Sequence, residues 1–470
     1  MLLNYINKEM NNCDDLMQRQ IFLDDKICHI VFLKSMINEE LIARLVVEPI
    51  INNHSTNIDS IKNSILLCEL EEIDNGEKCV KSLLENKVIV ILDEKALSVN
   101  VEKYPQRAPS EPPTSSVIQG PREGFTEDYK VNITLLRRRF PTSAFKLETI
   151  TIGKYTQTKV IVCYLDEVAD KKLVKKIKDK LKKINVDGII DSYNLVDYLQ
   201  SNKKSLFKQV GLTEKPDILA SKLLEGRVGI ICNGSPIVLT LPFLYIEDVQ
   251  NSNDYYTNSY YATFIRIIRA IGILVATVVP GVYLSLRLYH YKIVPLKYII
   301  TIANSTENLP FTPFIEILFI LLLFQILYEV SLRLPHYLGL ATSIVGALIL
   351  GDTGVRAGLI SPPSVIMIAL SLIAIYTVPD QAPQFTVLRF VFIMAGGCLG
   401  LLGIVAIMIF VINYCNGLND YGAPYLAPFS PNVRKDLKDG IKKETFSNMK
   451  SRPKSFYNKN KSRREKWKIH

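Results

Sequence analysis

Tyr255-Tyr256-Thr257-Asn258-Ser259-Tyr260-Tyr261-Ala262-Thr263-Phe264-Ile265-Arg266-Ile267-Ile268-Arg269 is where this chain changes character. Ahead of it the sequence reads as water-soluble, mixed α/β protein. Behind it, to about residue 414, come apolar runs broken by Gly, Pro and a few charges. Aromatic residues followed by arginines mark the place where a helix enters a bilayer, with the arginines on the cytosolic side. The expected architecture is therefore a cytosolic α/β region followed by an α-helical polytopic membrane domain.

The formal net charge of +10 does not point to nucleic acid. Residues 432–470 hold 14 Lys/Arg against four Asp/Glu, so this tail carries the whole excess. Basic charge just after a last membrane helix fits the positive-inside rule and anionic headgroups, and no nucleic-acid motif accompanies it. The eight cysteines are scattered, with no C-x-x-C pair, which suits reduced thiols rather than a disulfide framework or a zinc site. The first residues lack the apolar stretch of a signal peptide, so the α/β region is expected to stay in the cytosol. There is no P-loop, H-E-x-x-H or G-x-S-x-G, and the five histidines are dispersed. No enzyme activity and no cofactor or metal is expected.

Within the soluble half, two segments repeat in order. Phe32-Leu33-Lys34-Ser35-Met36-Ile37-Asn38-Glu39-Glu40-Leu41-Ile42 lines up with Tyr164-Leu165-Asp166-Glu167-Val168-Ala169-Asp170-Lys171-Lys172-Leu173-Val174. Each follows an apolar strand-like run and places a capping Asn38 or Asp170 ahead of a helical pattern. Later, Leu83-Leu84-Glu85-Asn86-Lys87-Val88-Ile89-Val90 resembles Leu223-Leu224-Glu225-Gly226-Arg227-Val228-Gly229-Ile230. We expect two related α/β subdomains with mixed sheets, at 1–104 and 120–262. The stretch 105–119, with Pro105, Pro109, Pro112 and Pro113, reads as an extended linker. Beyond it, Thr126 is the expected N-cap of a helix that ends in Arg137-Arg138-Arg139 and stops at Pro141.

The membrane domain, 263–414, contains apolar stretches near 270–288, 314–328, 338–351, 364–378 and 388–413. The first and last are long enough to span. The third is glycine-rich and runs into Ser361-Pro362-Pro363, so it is expected to be broken or re-entrant. Gly354-x-x-x-Gly358 and Gly396-x-x-x-Gly400 would permit close helix contacts. Basic flanks at both ends require an even number of crossings, and four plus one re-entrant segment fit best. Residues 415–470 form a basic cytosolic tail. Charges near the apolar stretches are few: Glu316, Glu329, Arg333, Asp352, Arg356 and Arg389. Arg333 and Arg389 are expected at interfaces. Asp352 and Arg356, four apart, would pair on a helix.

Several short runs, taken in order, resemble the A subunit of the GerA-type spore germinant receptors. They include Gly120-Pro121-Arg122-Glu123-Gly124-Phe125, Lys215-Pro216-Asp217, Asn233-Gly234-Ser235-Pro236, Asp254-Tyr255-Tyr256, Arg333-Leu334-Pro335, Ala357-Gly358-Leu359-Ile360-Ser361-Pro362 and Gly422-Ala423-Pro424-Tyr425-Leu426-Ala427-Pro428. The chain departs from the pattern at Phe324-Gln325-Ile326-Leu327-Tyr328-Glu329-Val330, where the family usually reads Phe-Glu-x-Leu-Arg-Glu-Ala. The resemblance implies a multi-pass protein of the spore inner membrane, both termini cytosolic. It would work with a membrane B subunit and a lipoprotein C subunit, the nutrient binding mainly the B subunit. It also implies self-oligomerisation into a channel for monovalent cations. A non-conducting scaffold that relays nutrient binding, and an accessory germination channel protein of the same family, are the alternatives. The glycine-rich stretch combines apolar residues with an opposite-charge pair, so the pore candidates are Ile344, Val345, Leu348, Asp352, Val355 and Arg356. Partner or coupling candidates are Arg122, Glu123, Glu316 and Glu329. Limited proteolysis of the folded chain is expected to cut first between Tyr104 and Gly120; a first cut within Val160–Tyr164 would refute the division into two units.

Overall fold

The computed structural model describes residues 2–23, 26–37, 39–52, 57–67, 69–101, 119–307, 309–335, 344–346, 348–460 and 462–463. The linker residues 105–118, Asn38 and residues 336–343 therefore lie outside the described chain. The first unit opens with helix α1 (Leu2–Glu9) and a hairpin of β1 (Leu16–Leu23) and β2 (Lys26–Leu33). Short helical pieces between residues 39 and 64 lead to β3 (Leu70–Ile73) and α2 (Gly76–Leu84), then to a second hairpin of β4 (Lys87–Leu92) and β5 (Lys95–Asn100). The second unit repeats this plan. Helix α3 (Tyr129–Arg137) precedes the hairpin of β6 (Phe145–Ile152) and β7 (Thr158–Leu165). Helices α4 (Lys171–Lys182) and α5 (Ser192–Leu199), β8 (Gly211–Thr213) and α6 (Pro216–Glu225) follow, and β9 (Val228–Cys232) pairs with β10 (Val238–Leu241).

The sheet orders are β1-β2-β4-β5-β3 and β6-β7-β9-β10-β8, the same arrangement twice. The repeated sequences occupy matching central strands, β2 with β7 and β4 with β9. Every strand ladder is antiparallel, which corrects the expected mixed sheets. Two residues separate β1 from β2 and β4 from β5, and a connection that short closes only an antiparallel pair. Asp93, in the second of these turns, takes the left-handed φ of 55° that such turns require.

Asp170 caps α4 as expected, its carboxylate accepting from Lys172 N at 3.0 Å. Helix α4 buries Leu173, Val174, Ile177 and Leu181, one apolar stripe on a lysine-rich cylinder. The cap of α3 is Asp128, not Thr126; Asp128 accepts from Lys130 N at 2.9 Å. Thr126 instead holds Asn132, whose side chain donates to the Thr126 carbonyl at 2.6 Å. The two units are joined by a buried pair: the Arg137 guanidinium meets Asp15 at 2.8 Å and donates to the Phe145 carbonyl at 3.1 Å. Beside it, Cys13 makes a parallel bridge to Leu147 on the free edge of β6.

The helical half begins with α7 (Ser259–Thr277), earlier than the apolar run suggested, and continues as α8 (Val279–Leu288). Pro280 divides them. It has no N–H for the Ala276 carbonyl, and Ser371 Oγ donates to that oxygen instead, at 2.8 Å. Next come α9 (Leu296–Thr306), α10 (Pro313–Arg333), α11 (Pro362–Ile375) and α12 (Ala382–Gly417). Helices α7 and α10, and the segment 379–417, are long and apolar enough to cross a membrane. Gly354-x-x-x-Gly358 is no helix contact: the helix ends at Arg356 and Gly358 turns away with φ 68°.

Helix α12 does not run as one rod. Gly400 takes φ 67° and ψ −152°, outside helical geometry. A straight helix of 36 residues would be about 54 Å long. Yet Lys208 meets Asp380 before its start, while Asn202 donates to Tyr414 Oη at 3.2 Å near its end. Both ends thus return to one loop of the second α/β unit, and α12 is a helical hairpin with its apex at Gly400. Tyr289 Oη donates to the Gly397 carbonyl at 2.7 Å, which the break leaves without a helical partner. The bundle reverses repeatedly. Helix α10 runs from Glu316, beside Ser361, to Leu327, against Gly346; the segment from Gly346 to Ser361 covers the same depth in the opposite direction. Gly281 of α8 and Gly396 of α12 meet so closely that a Cβ on either would lie 2.4 Å from a backbone oxygen. Gly396→Ala is expected to lower stability by about 1–3 kcal/mol through overpacking; thermal unfolding in detergent that matches the parent would show that this contact is not tight.

Candidate functional site

The α/β region meets the helices through a buried ion cluster. Asn258 caps α7, its side chain accepting from Tyr260 N at 2.9 Å. Arg266 and Arg269 then fall three apart on one helix face and point at Asp254, in the single turn Ser252–Tyr255. Arg269 grips both oxygens of Asp254, at 2.8 and 2.9 Å, and Arg266 Nε donates to the same carboxylate at 2.9 Å. Arg266 also reaches Asp439 at 3.0 Å and the Gly440 carbonyl at 2.6 Å. Lys443 donates to the Asp254 carbonyl. Arg266 is 0 % exposed and Asp254 3 %. The two arginines expected as interface charges are therefore the hub joining unit, helix and tail.

The tail itself is docked rather than free. Tyr425 is buried between Phe243 and Tyr245, and Phe456 lies under the Arg227 guanidinium. Arg463 pairs with Glu225 at 3.1 Å. Lys461 and Arg464 lie outside the described residues.

Beside this hub is a cavity of about 580 Å³, between the second unit and the turn joining α11 to α12. It is lined by charge, including Lys208, Glu214, Asp217, Lys222, Arg227, Glu247, Asp248 and Asp380. Lys222 pairs with Glu247 at 2.6 Å, and Arg227 donates to the same carboxylate. Burial would raise Glu247, but Arg227 and Lys222 outweigh it and hold the carboxyl at about 2. Asp248 behaves oppositely. Burial pushes it up to about 6, against Lys208 at 3.5 Å and a hydrogen bond from Gln381. Lys208 bridges Asp248 to Asp380, so these pairs fasten the start of α12 to the unit. Among the described residues no group of three or more His, Cys, Asp or Glu is arranged to hold a metal ion.

The pore candidates lie together on one segment. Ile344, Val345 and Leu348 are each more than half exposed, and Val355 packs partly against the bundle. Arg356 Nε donates to Asp352 at 2.7 Å, the expected pairing of residues four apart. Glu316 is not a pore-facing charge in the single chain: it is fully buried, paired with Arg287 at 2.7 Å, and accepts from Ser361 N at 2.8 Å. Glu329 pairs with Arg333 at 2.7 Å on the open surface of α10. Glu123 binds Arg139 at 2.8 Å and so ties down the arginine-rich end of α3. Arg122, in the same motif, is exposed. Arg389, expected at an interface, is fully buried and donates to Ser371 Oγ at 3.3 Å. Sequence reasoning missed Asp254, Asp439, Arg287 and Ser361 as partners. The spacing of Arg266 and Arg269 was the available signal for a shared acid; nothing local marked Asp439, which lies far along the chain.

The chain matches the family described as Bacillus/Clostridium GerA spore germination protein over residues 4–455, and it belongs to that family. Among relatives, it is 32% identical to "Uncharacterized membrane protein YfkQ" of Bacillus subtilis (strain 168), over 94% of this chain and 88% of that protein. It is 30% identical to "Spore germination protein KA" of the same organism, over 98% of this chain and 87% of that protein. A crystal structure of the N-terminal domain of the A subunit of the Bacillus megaterium spore germinant receptor GerK3 is similar at 26% identity, over 52% of this chain and 94% of that one, with a TM-score of 0.40. Family and apolar helices together make this a membrane protein of the spore germination class.

Asp254→Asn is expected to cost about 3–5 kcal/mol, because two arginines lose their buried counter-charge; it should also speed proteolysis after Gly440. Unchanged proteolysis would show that the hub does not hold the tail. Asp248 carries a pH signature. Its folded carboxyl titrates near 6 and the usual value is 3.8, so the folded chain takes up the proton more readily. This group's contribution favours the folded state at low pH and is lost as pH rises through that window. Asp248→Asn should flatten the fall in melting temperature between about pH 4 and 6; an unchanged slope would contradict the assignment.

Proposed function

We propose that this chain is the A-type subunit of a nutrient germinant receptor of the spore inner membrane. Copies of it assemble around a cation-conducting pore lined by residues 344–356. The surface of that segment carries the reading. The side chains of Asp352 and Arg356 are 52% and 79% exposed beside Ile344, Val345 and Leu348, whereas the Arg287–Glu316 pair is 8% and 0% exposed. A charge pair left open within an apolar bundle is costly against lipid and is accommodated against water or a second copy. Gly351 has open space where a Cβ would stand, so another backbone can approach it. An apolar constriction at Val345, Leu348 or Val355 would close by dewetting, and Asp352 would favour cations at its mouth.

The course of the chain supports six crossings in place of four: α7–α8, α10, residues 344–360, α11 and the two arms of α12. The number stays even, and both soluble ends remain on the cytosolic side. Resemblance to the family supports a membrane B subunit and a lipoprotein C subunit as partners. A second reading, a non-conducting relay, is favoured by the Asp254 hub, whose bonded path from unit to α7 would transmit a partner's movement with or without a pore.

Conductance of the purified oligomer in a planar bilayer separates the two. Val345→Ala, Leu348→Ala and Val355→Ala, taken singly, should produce leak, seen also as germination without nutrient. Asp352→Asn should reduce cation conductance. Three tight Ala variants and a normally conducting Asn variant would remove the pore from this segment.

A further inference from the structure

Among the described helices of eight or more residues, α9 alone buries none of its residues. It is nevertheless apolar, Leu-Lys-Tyr-Ile-Ile-Thr-Ile-Ala-Asn-Ser-Thr. At 100° per residue, Ile299 and Ile302 form the side that leans on the bundle, half-buried. Leu296, Ile300 and Ala303 continue the same apolar arc outward; Leu296 is 71% exposed and Ile300 50%. Thr301 lies opposite that arc, with Lys297 and Asn304 between it and Ile300. The apolar arc thus runs without a break from the bundle to open surface.

The position of α9 says what covers that surface. It joins the end of α8 to the start of α10. Arg287 of α8 grips Glu316 of α10, Phe314 packs against Gly397, and Tyr289 bonds the Gly397 carbonyl next to the apex of the α12 hairpin. Both ends of α12 return to the α/β unit, so α9 sits at the end of the bundle farthest from it. There the apolar sides of the spanning helices end and headgroups begin. Exposed Tyr291 and Tyr298, with Lys292 and Lys297, supply amphipathic rings and cations suited to that layer.

We propose that α9 is an interfacial anchor. It lies in the plane of the leaflet opposite the α/β units, its Leu296–Ile300 face in the acyl boundary and its Thr301 side in water. The occupant of the open apolar face is the lipid itself, not another protein. The inference rests on the membrane assignment and holds whether or not the chain conducts.

The test places a nitrobenzoxadiazole fluorophore on an introduced cysteine, Ile300→Cys or Thr301→Cys, in a Cys68→Ser, Cys398→Ser chain, whose six remaining cysteines are buried. The full-length protein is reconstituted alone in phosphatidylglycerol–phosphatidylethanolamine vesicles. At 300, a nitroxide near the top of the acyl chain should quench several-fold more than one at its end, and acrylamide should quench several-fold less than at 301. If acrylamide reaches 300 as readily as 301, the face is open to water without a partner protein and the proposal falls. Stronger quenching at 300 by the deep nitroxide would overturn it in favour of an inserted helix.

Discussion

Asp254 is the point on which the rest of the structure turns. One buried carboxylate receives two arginines from the first membrane helix, and one of those arginines passes on to Asp439 in the tail. Two guanidinium groups withdrawn from water need counter-charge, and this acid together with Asp439 supplies it. The second α/β unit, α7 and the tail are therefore held in one arrangement. The unit is bound to α7 by charge-assisted hydrogen bonds at 2.8–2.9 Å.

The same rule operates inside the apolar bundle, where each break in the helical ladder has a named substitute. Ser371 serves the carbonyl that Pro280 strands, and Tyr289 serves the one that Gly400 strands. Ser361 gives its N–H to Glu316, whose charge Arg287 balances. These polar contacts lie between helices, so they also fix which helices are neighbours. The segment 344–356 is different. Its charges satisfy one another locally, and Ile344, Val345 and Leu348 remain exposed.

Much of the fold could be read from local pattern. The internal repeat was visible because matching strands carry matching apolar runs, and both sheets have the same strand order. The Asp170 cap and the Asp352–Arg356 pair depend on residues two and four apart, distances that a helix fixes by itself. Sheet direction was misjudged because an apolar run before a helix looks the same in a parallel crossover and in an antiparallel hairpin unit. The last apolar stretch looked like one spanning helix. Its length satisfies a bilayer, and a glycine within such a run does not announce that it will take φ 67°.

The sequence by itself determined that two related α/β units precede an apolar helical domain. It also determined that the excess positive charge sits in the tail and that residues 4–455 belong to the GerA family. These follow from composition, short-range periodicity and ordered motifs, all carried along the chain. Only the tertiary structure decided that Arg266 and Arg269 are buried partners of Asp254 and not free interface charges, that Glu316 is neutralised by Arg287, and that the tail is docked. A lone arginine or glutamate has the same sequence signature whether it meets lipid headgroups or a carboxylate brought from elsewhere. Asp439 lies 173 positions from Arg266, and only the folded chain brings them together.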